Sequence, residues 1–218
     1  MNETILTSVV SIVSAIAGGL LTLVATLLSN YSANKRHNEE LWERKNEFKS
    51  NILRDIYTNI IGIVNIYPNE SPNDVLKNIE FAPGYLLEEF DSVIKNLDYQ
   101  VEDYERTLDT KKSLTREEKN KIEVAVNNIK YAKKEILRIE IEYMDARERY
   151  DEFKKNGKSV FDLYAGIEVR NSLVEFETVV HNVFVSGMRA GDRYEPLSNI
   201  INVSRNNLIQ KMREDIGN

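Results

Sequence analysis

"TREEKNKIEVAVNNIKYAKKEILRIEIEYMDARERYDEFKKNGKS", Thr115 to Ser159, holds no proline and only one glycine, Gly157. Its apolar residues recur at alternating steps of three and four: Ile122, Ala125, Ile129, Ala132, Ile136, Ile139, Tyr143, Ala146, Tyr150 and Phe153. That period is a coiled-coil seam and predicts one long helix. Thr115 can cap its first turn while Glu118, three residues on, reaches back as the acidic member of a capping box. Gly157, free to adopt a left-handed cap, is expected to end it.

Upstream, from about Tyr85 to Leu108, Leu87, Phe90, Ile94, Leu97, Val101, Tyr104 and Leu108 repeat the same steps. "DTKKSLT" separates the two segments, so they are expected to fold back as an antiparallel hairpin. Downstream, a helix of roughly Val160 to Val185 carries two apolar faces. Val160, Tyr164, Ile167, Val174 and Val185 form one, and Val169, Leu173, Phe176, Val180 and Val183 the other, a pattern expected of a helix buried between neighbours. A last helix near Leu197 to Ile216 turns Leu197, Ile201, Leu208 and Met212 inward. The prolines stand only at 68, 72, 83 and 196, and no segment alternates as a strand. The expected fold class is all-α.

The amino-terminal run from Thr4 to Leu28 carries no charge. As a helix it would extend roughly 37 Å at about 1.5 Å per residue, enough to cross a hydrocarbon core about 30 Å thick. "MNE" supplies no basic n-region of a cleaved signal, so the span is expected to be retained. Lys35, Arg36, Arg44 and Lys45 follow it and no Lys or Arg precedes it, which directs the carboxyl-terminal part to the cytoplasm of a cell whose inner membrane the span crosses once. Helical pattern continues through Leu41, Phe48, Ile52, Ile56, Ile60 and Ile63 to Tyr67, whereas "YPNESPND" and "APGY" read as connecting loop. The expected organisation is a transmembrane helix over 1–30, a juxtamembrane helix over 31–67, a loop over 68–84 and a cytoplasmic antiparallel helical bundle over 85–218. Trp42 would be either a late interfacial residue or part of the core.

The span is patterned. Ser8, Ser11, Ala15, Gly18, Thr22 and Ala25 lie at steps of three and four, and Gly19 broadens the face into a small-xxx-small surface on which helix backbones approach closely. Lipid tails give no reason for such a stripe. With one span per chain, its neighbour must be another copy or a second protein. A dimer would use it as a tight seam; a larger ring would line a lumen with the hydroxyls of Ser8, Ser11 and Thr22. Lys35 and Arg36 sit where anionic headgroups would be met.

Composition removes several classes of function. The formal net charge of −6 argues against sequence-independent binding to duplex nucleic acid. Without cysteine there is neither a disulfide framework nor a thiolate metal site. The two histidines, His37 and His181, lack a Glu three residues earlier, as a di-iron bundle would require, and the spacings of zinc peptidases and Ser-His-Asp hydrolases are missing. No phosphate-cradling glycine motif occurs. No cofactor, metal or catalytic residue is therefore expected, and an enzyme is not the reading. His181 shares a helical stripe with Asn171 and Thr178, either a strip of buried hydrogen-bonding groups or a ligand contact. Arg189 and Arg193, in the glycine-bounded turn "SGMRAGDRYEP", either stay solvated or meet a phosphate or partner carboxylate.

One amino-terminal span, a long juxtamembrane helix and an all-helical cytoplasmic bundle resemble the small membrane effectors of prokaryotic antiphage systems. The layout is similar to that of the membrane accessory protein found with some RNA-guided RNA-targeting systems. That class is related to a helical nucleotide-binding nuclease fold whose signature is Arg, four to six residues, then His. Val174, Glu175, Phe176 and Glu177 occupy the corresponding positions before His181 here, so the resemblance implies membrane disruption by an oligomer without hydrolysis. The alternative is a membrane-anchored scaffold that recruits a soluble protein through its bundle.

Overall fold

The computed structural model describes the backbone of residues 2–111 and 113–217, and the side chains of Gly19, Thr22, Leu23 and residues 25–111 and 113–217. Among the described residues every regular element is helical: α1 (Asn2–Val64), α2 (Pro72–Leu76), a 3₁₀ turn (Leu87–Glu89), α3 (Phe90–Thr110), α4 (Arg116–Asn156), α5 (Lys158–Tyr164), α6 (Ile167–Phe184) and α7 (Ile200–Gly217). The chain is all-α, as its periodicity indicates. It divides into two compact units, Met1–Asn51 and Ile52–Asn218.

The first unit is helical from Asn2 onward. Leu41, Phe48 and Trp42 are all exposed in it, so Trp42 is not part of the core. The expected span over 1–30 lies largely outside the residues whose side chains are described. Among the described residues no helix is long and apolar enough to cross a membrane.

The second unit is a helical bundle with two apolar clusters, and α4 serves both. Its amino-terminal half turns Ile129 and Ile136 toward Val93 and Leu97 of α3 and Leu76 of α2. Its carboxyl-terminal half presents Ile139, Tyr143, Ala146, Tyr150 and Phe153 to a larger cluster built with Leu53, Tyr57, Ile60 and Val64 of α1, Leu173 and Phe176 of α6, and Leu208 and Met212 of α7. At about 1.5 Å per residue a 41-residue helix is some 60 Å long, which is why one seam can face different partners at its two ends.

The α3–α4 pair is the antiparallel hairpin that the repeats predict. Lys133 meets Asp98 at 2.5 Å and Lys130 meets Glu105 at 2.8 Å, so the partner number falls as the residue number rises. These ion pairs are partly exposed, a setting in which each contributes about 0–1 kcal/mol. Full burial of Leu97 and Ile136 is worth about 1.5–3 kcal/mol per side chain. The apolar seam holds the hairpin; the charges set its register.

The capping box at the start of α4 is present in both directions. The Glu118 backbone N–H donates to Thr115 Oγ1 at 3.2 Å, and the Thr115 N–H donates to Glu118 Oε2 at 2.8 Å. The Thr115 contacts hold the Glu118 carboxyl below its usual range. Thr115→Ala orphans the N3 amide, and a melting curve followed by circular dichroism should show Tm lowered by a few degrees, with no change in helix content at low temperature.

Downstream, tertiary packing overrides local pattern. The segment Val160–Val185 is two helices, not one: α5 ends at Tyr164, Ala165 is extended (φ −69°, ψ 140°), and Gly166 starts α6. No side chain of its own caps α6. Instead Asp215 of α7 accepts the Gly166 N–H at 3.1 Å and the Tyr57 hydroxyl at 2.6 Å, tying the break to α1 and α7. Burial first, and then the bond to Asp215, push the Tyr57 pKa upward.

Gly157 joins α4 to α5 at φ −116°, so its role is not the left-handed cap expected. A side chain there would meet the Phe153 ring. Of the two apolar faces expected to be buried, Val169, Leu173, Phe176, Val180 and Val183 are, but Val160, Ile167 and Val174 are exposed. Ile201, Leu208 and Met212 point inward as expected, whereas Leu197 precedes α7 and is almost wholly exposed. The segment 68–84 also holds more than loop, because Ser71 and Asp74 form a second capping box that starts α2 with Pro72 in its first turn.

Candidate functional site

Two loops that are distant in sequence, 65–71 and 185–199, are stitched together by buried polar groups. Asp74 is buried and accepts from the Ser71 N–H at 3.2 Å, the Ser71 hydroxyl at 2.7 Å and the Ala190 N–H at 2.8 Å. Asn73 donates to the Tyr85 carbonyl at 3.0 Å and the Gly187 carbonyl at 2.5 Å, and accepts the Tyr85 N–H at 2.8 Å. Asn199, fully buried, donates to the Asn69 carbonyl at 2.7 Å and receives the Asn202 N–H at 3.1 Å, which caps the first turn of α7. Each amide thus replaces a backbone ladder where irregular chain would otherwise bury unpaired groups.

Arg205 completes this knot. Nε donates to the Val64 carbonyl at 2.9 Å, Nη2 to the Tyr67 carbonyl at 2.6 Å, and Nη1 to the side-chain oxygens of Asn69 and, at 3.1 Å, Asn202. All its acceptors are neutral. The charge therefore faces the carboxyl-terminal end of α1, whose orphan carbonyls and partial negative charge favour a cation. Burial alone pulls its pKa down to about 10, which leaves it charged at neutral pH.

Several clefts lie around the knot, and two bear on the residues expected from sequence. One, of about 410 Å³, lies between α2, α4 and the 191–194 loop, with Asp74, Asn128, Tyr131 and Glu135 in its wall. Arg193 lines it but is already engaged: Nη1 meets Glu70 at 3.0 Å, Nη2 donates to the Tyr194 hydroxyl at 2.7 Å, and the guanidinium lies 4.8 Å from that ring's centre. These contacts raise its pKa and fix its direction.

The other cleft, of about 220 Å³, has buried walls of Tyr67, Tyr143, Tyr150 and Phe176 and a rim that includes Arg147, Asp151 and His181. Lys154 pairs with Glu177 at 3.0 Å and lies 4.6 Å from the centre of the Tyr150 ring. Desolvation pushes all three phenols up; for Tyr150 the adjoining Glu177 adds to it, and for Tyr143 the facing Arg147 opposes it. The walls are therefore neutral at physiological pH.

No protein-family model matches the chain, and no curated protein or solved structure matches it. The site must be read from its own chemistry.

The residues singled out from sequence do not converge. His181 is at the rim of the smaller cleft and Arg193 in the wall of the larger, while Arg189 is exposed and makes no ion pair among the described residues. The carboxylate that Arg193 meets is Glu70 of its own chain. Asn171, Thr178 and His181 do form one stripe, but all three are exposed, so the expectation of a buried polar strip is corrected: α6 turns this face to solvent. Gly19, Thr22 and Ala25 are exposed, whereas the side chains of Ser8, Ser11 and Ala15 and the surroundings of Gly18 lie outside the described residues. Lys35 and Arg36 are exposed, with Lys35 3.9 Å from Glu39 and Arg36 3.5 Å from Ser32 Oγ.

Arg205 and Asn199 are not among the residues that sequence pattern picks out, although a signal for Arg205 exists. It falls between Ile201 and Leu208 on the inward stripe of α7, where a charged residue needs a partner. Asn199 offers no comparable sign, because its partners come from loops whose approach only the fold decides.

Proposed function

We propose that the chain is an oligomeric, membrane-tethered effector that permeabilises the inner membrane, acting in prokaryotic antiphage defence without hydrolytic chemistry. The observation that carries this reading is that the charge-free run Thr4–Leu28 and the core residues Leu53, Tyr57, Ile60 and Val64 belong to the same helix, α1. A span joined to a folded bundle by one proline-free helix suits a device in which assembly of bundles brings spans together. The small-residue face through Ser8, Ser11, Ala15, Gly18, Gly19, Thr22 and Ala25 is the surface on which they would meet. The Ile52–Asn218 unit would lie on the cytoplasmic side, with Lys35 and Arg36 at the headgroups.

Full-length protein reconstituted in dye-loaded liposomes should release the dye, and Gly18→Leu, which fills the close-approach face with a large side chain, should reduce release at least about tenfold. Liposomes that stay tight at every protein density tried would refute the reading. A second reading, an anchored scaffold, is favoured by the exposed apolar residues Leu137, Ile141 and Met144 on α4 and Leu163, Ile167 and Val174 on α5 and α6. Replacing residues 4–28 by an unrelated leucine-rich span separates the two: a scaffold keeps its biological activity, whereas the effector loses it.

A further inference from the structure

The outward side of α4 carries an apolar ridge that the bundle leaves uncovered. Leu137, Ile141 and Met144, at steps of four and three, are all exposed, and Ile141, at 68 %, is the most exposed apolar residue of the helix. One exposed leucine is ordinary on a protein surface, but three in line on a long helix form a patch. The buried seam through Ile136, Ile139, Tyr143 and Ala146 lies on the other side. The helix is therefore apolar on two faces, and the bundle covers one of them.

The charges in line with this ridge have a direction. Lys134 stands seven residues before Ile141 and Glu148 seven after it, both exposed and neither in an ion pair among the described residues. A seven-residue step falls only about 20° short of two full turns, so both lie close to the line through Ile141. Charges beside the ridge are already matched: Arg138 meets Glu135 at 3.0 Å and Glu142 at 2.7 Å, and Arg149, which also feels Glu148, is held by Asp145 at 2.9 Å. Lys130 and Lys133 are taken up by Glu105 and Asp98 of α3.

A stripe that is basic at one end, apolar in the middle and acidic at the other is complementary to its own reversed copy. A two-fold axis at Ile141 sets Lys134 of each copy against Glu148 of the other, while Ile141 meets itself and the two pairs of Leu137 and Met144 close around it. A parallel pairing would instead oppose lysine to lysine and glutamate to glutamate.

We propose that this ridge is a self-association surface, on which α4 of one copy packs antiparallel against α4 of a second copy across a two-fold axis at Ile141. Three apolar side chains and two charges make a contact smaller than the about 800 Å² per partner of a stable dimer. Association through it is therefore reversible and grows with local concentration. The assignment concerns the Ile52–Asn218 unit alone and does not depend on whether the chain permeabilises membranes.

The chain has no cysteine, so one introduced thiol reports on its own position. Full-length protein in mild detergent, oxidised with copper phenanthroline and read on a non-reducing gel, tests the assignment. Ile141→Cys should form a covalent dimer at least about tenfold faster than Glu102→Cys, which is exposed on α3, because a disulfide needs Cα atoms within about 7 Å of each other. Lys134→Cys mixed with a mass-tagged Glu148→Cys should give the mixed dimer faster than either gives its own. In Ile141→Cys protein, Lys134→Glu should slow linkage by about fivefold, and Glu148→Lys added to the same chain should restore it. Ile141→Cys chains that link no faster than Glu102→Cys chains overturn the assignment and leave the ridge to a soluble partner protein. Lys134→Cys chains that link to each other as fast as to Glu148→Cys overturn the antiparallel two-fold. A doubly reversed protein as slow as the single variant overturns the charge pairing on which it rests.

Discussion

Arg205→Met should destabilise the Ile52–Asn218 bundle by about 3 kcal/mol, read as a lowered urea midpoint in the 222 nm circular dichroism of the full chain. Methionine fills a similar volume and removes a buried charge, which by itself is favourable. Against that gain, the carbonyls of Val64 and Tyr67 lose their donors where water does not reach easily, at a cost of about 1–3 kcal/mol each. The Asn69 and Asn202 side chains lose theirs as well, but they are less buried and regain water. Loss of the cation at the end of α1 adds to the cost.

Two comparisons locate the effect. Asn202→Ala removes a single acceptor and should cost less than about 1 kcal/mol. Arg205→Lys keeps the charge but cannot span acceptors from three segments with one ammonium, so it should fall between wild type and methionine. An Arg205→Met protein that unfolds at the wild-type midpoint would show that the knot contributes nothing to stability.

Gly187→Ala should be as damaging, for a different reason. Gly187 has φ +74°, a conformation that disfavours any residue with a Cβ by about 1–2 kcal/mol. A Cβ there would also collide with the Tyr85 carbonyl oxygen and come 2.9 Å from Asn73 Nδ2. The first is backbone, and the second is the amide that ties α2 to the chain at Tyr85 and Gly187. Neither can yield without opening the knot, so a loss of about 3 kcal/mol or more is expected.

Gly62→Ala provides the contrast, since a Cβ at that helical position meets nothing within 4 Å. There the substitution should stabilise by about 0.5–1 kcal/mol through helix propensity alone. Equal effects at the two glycines would mean that the backbone at Gly187 is not held as described.

The physical basis of what the sequence made legible is that some signals are local. In α4, eight of the ten seam residues, Ile129 to Phe153, are buried, because a stripe repeated every 3.5 residues has to face a partner whatever that partner is. The Thr115 and Glu118 box closes within one turn. The hairpin with α3 follows from two matching seams and a short polar link. Expectations failed where the deciding group lies far along the chain: the α5–α6 break depends on Asp215, and the exposure of Ile167 and Val174 follows from which side of α6 meets α7.

The candidate site was less legible than the fold. His181 and Arg193 stand out by residue type, yet they line different clefts. The smaller cleft is built from Tyr143, Tyr150 and Phe176, which as sequence read only as seam or core, and from Tyr67, which reads as the start of a loop. Nothing in a helical repeat tells an aromatic residue that fills a core from one that walls a cleft.

By itself, then, the sequence determined the all-α class, the long α1 and α4, the α3–α4 hairpin and the charge-free amino-terminal run, because periodicity, capping and charge act over a few residues. The tertiary structure alone decided where Val160–Val185 breaks, which face of α6 is covered, that α4 serves two cores, and that Asn73, Asn199 and Arg205 bind two remote loops. The knot depends on buried polar groups finding partners more than a hundred residues away and the α5–α6 break on Asp215, 49 residues from Gly166, and a single dry hydrogen-bond requirement outweighs local propensities of a few tenths of a kcal/mol.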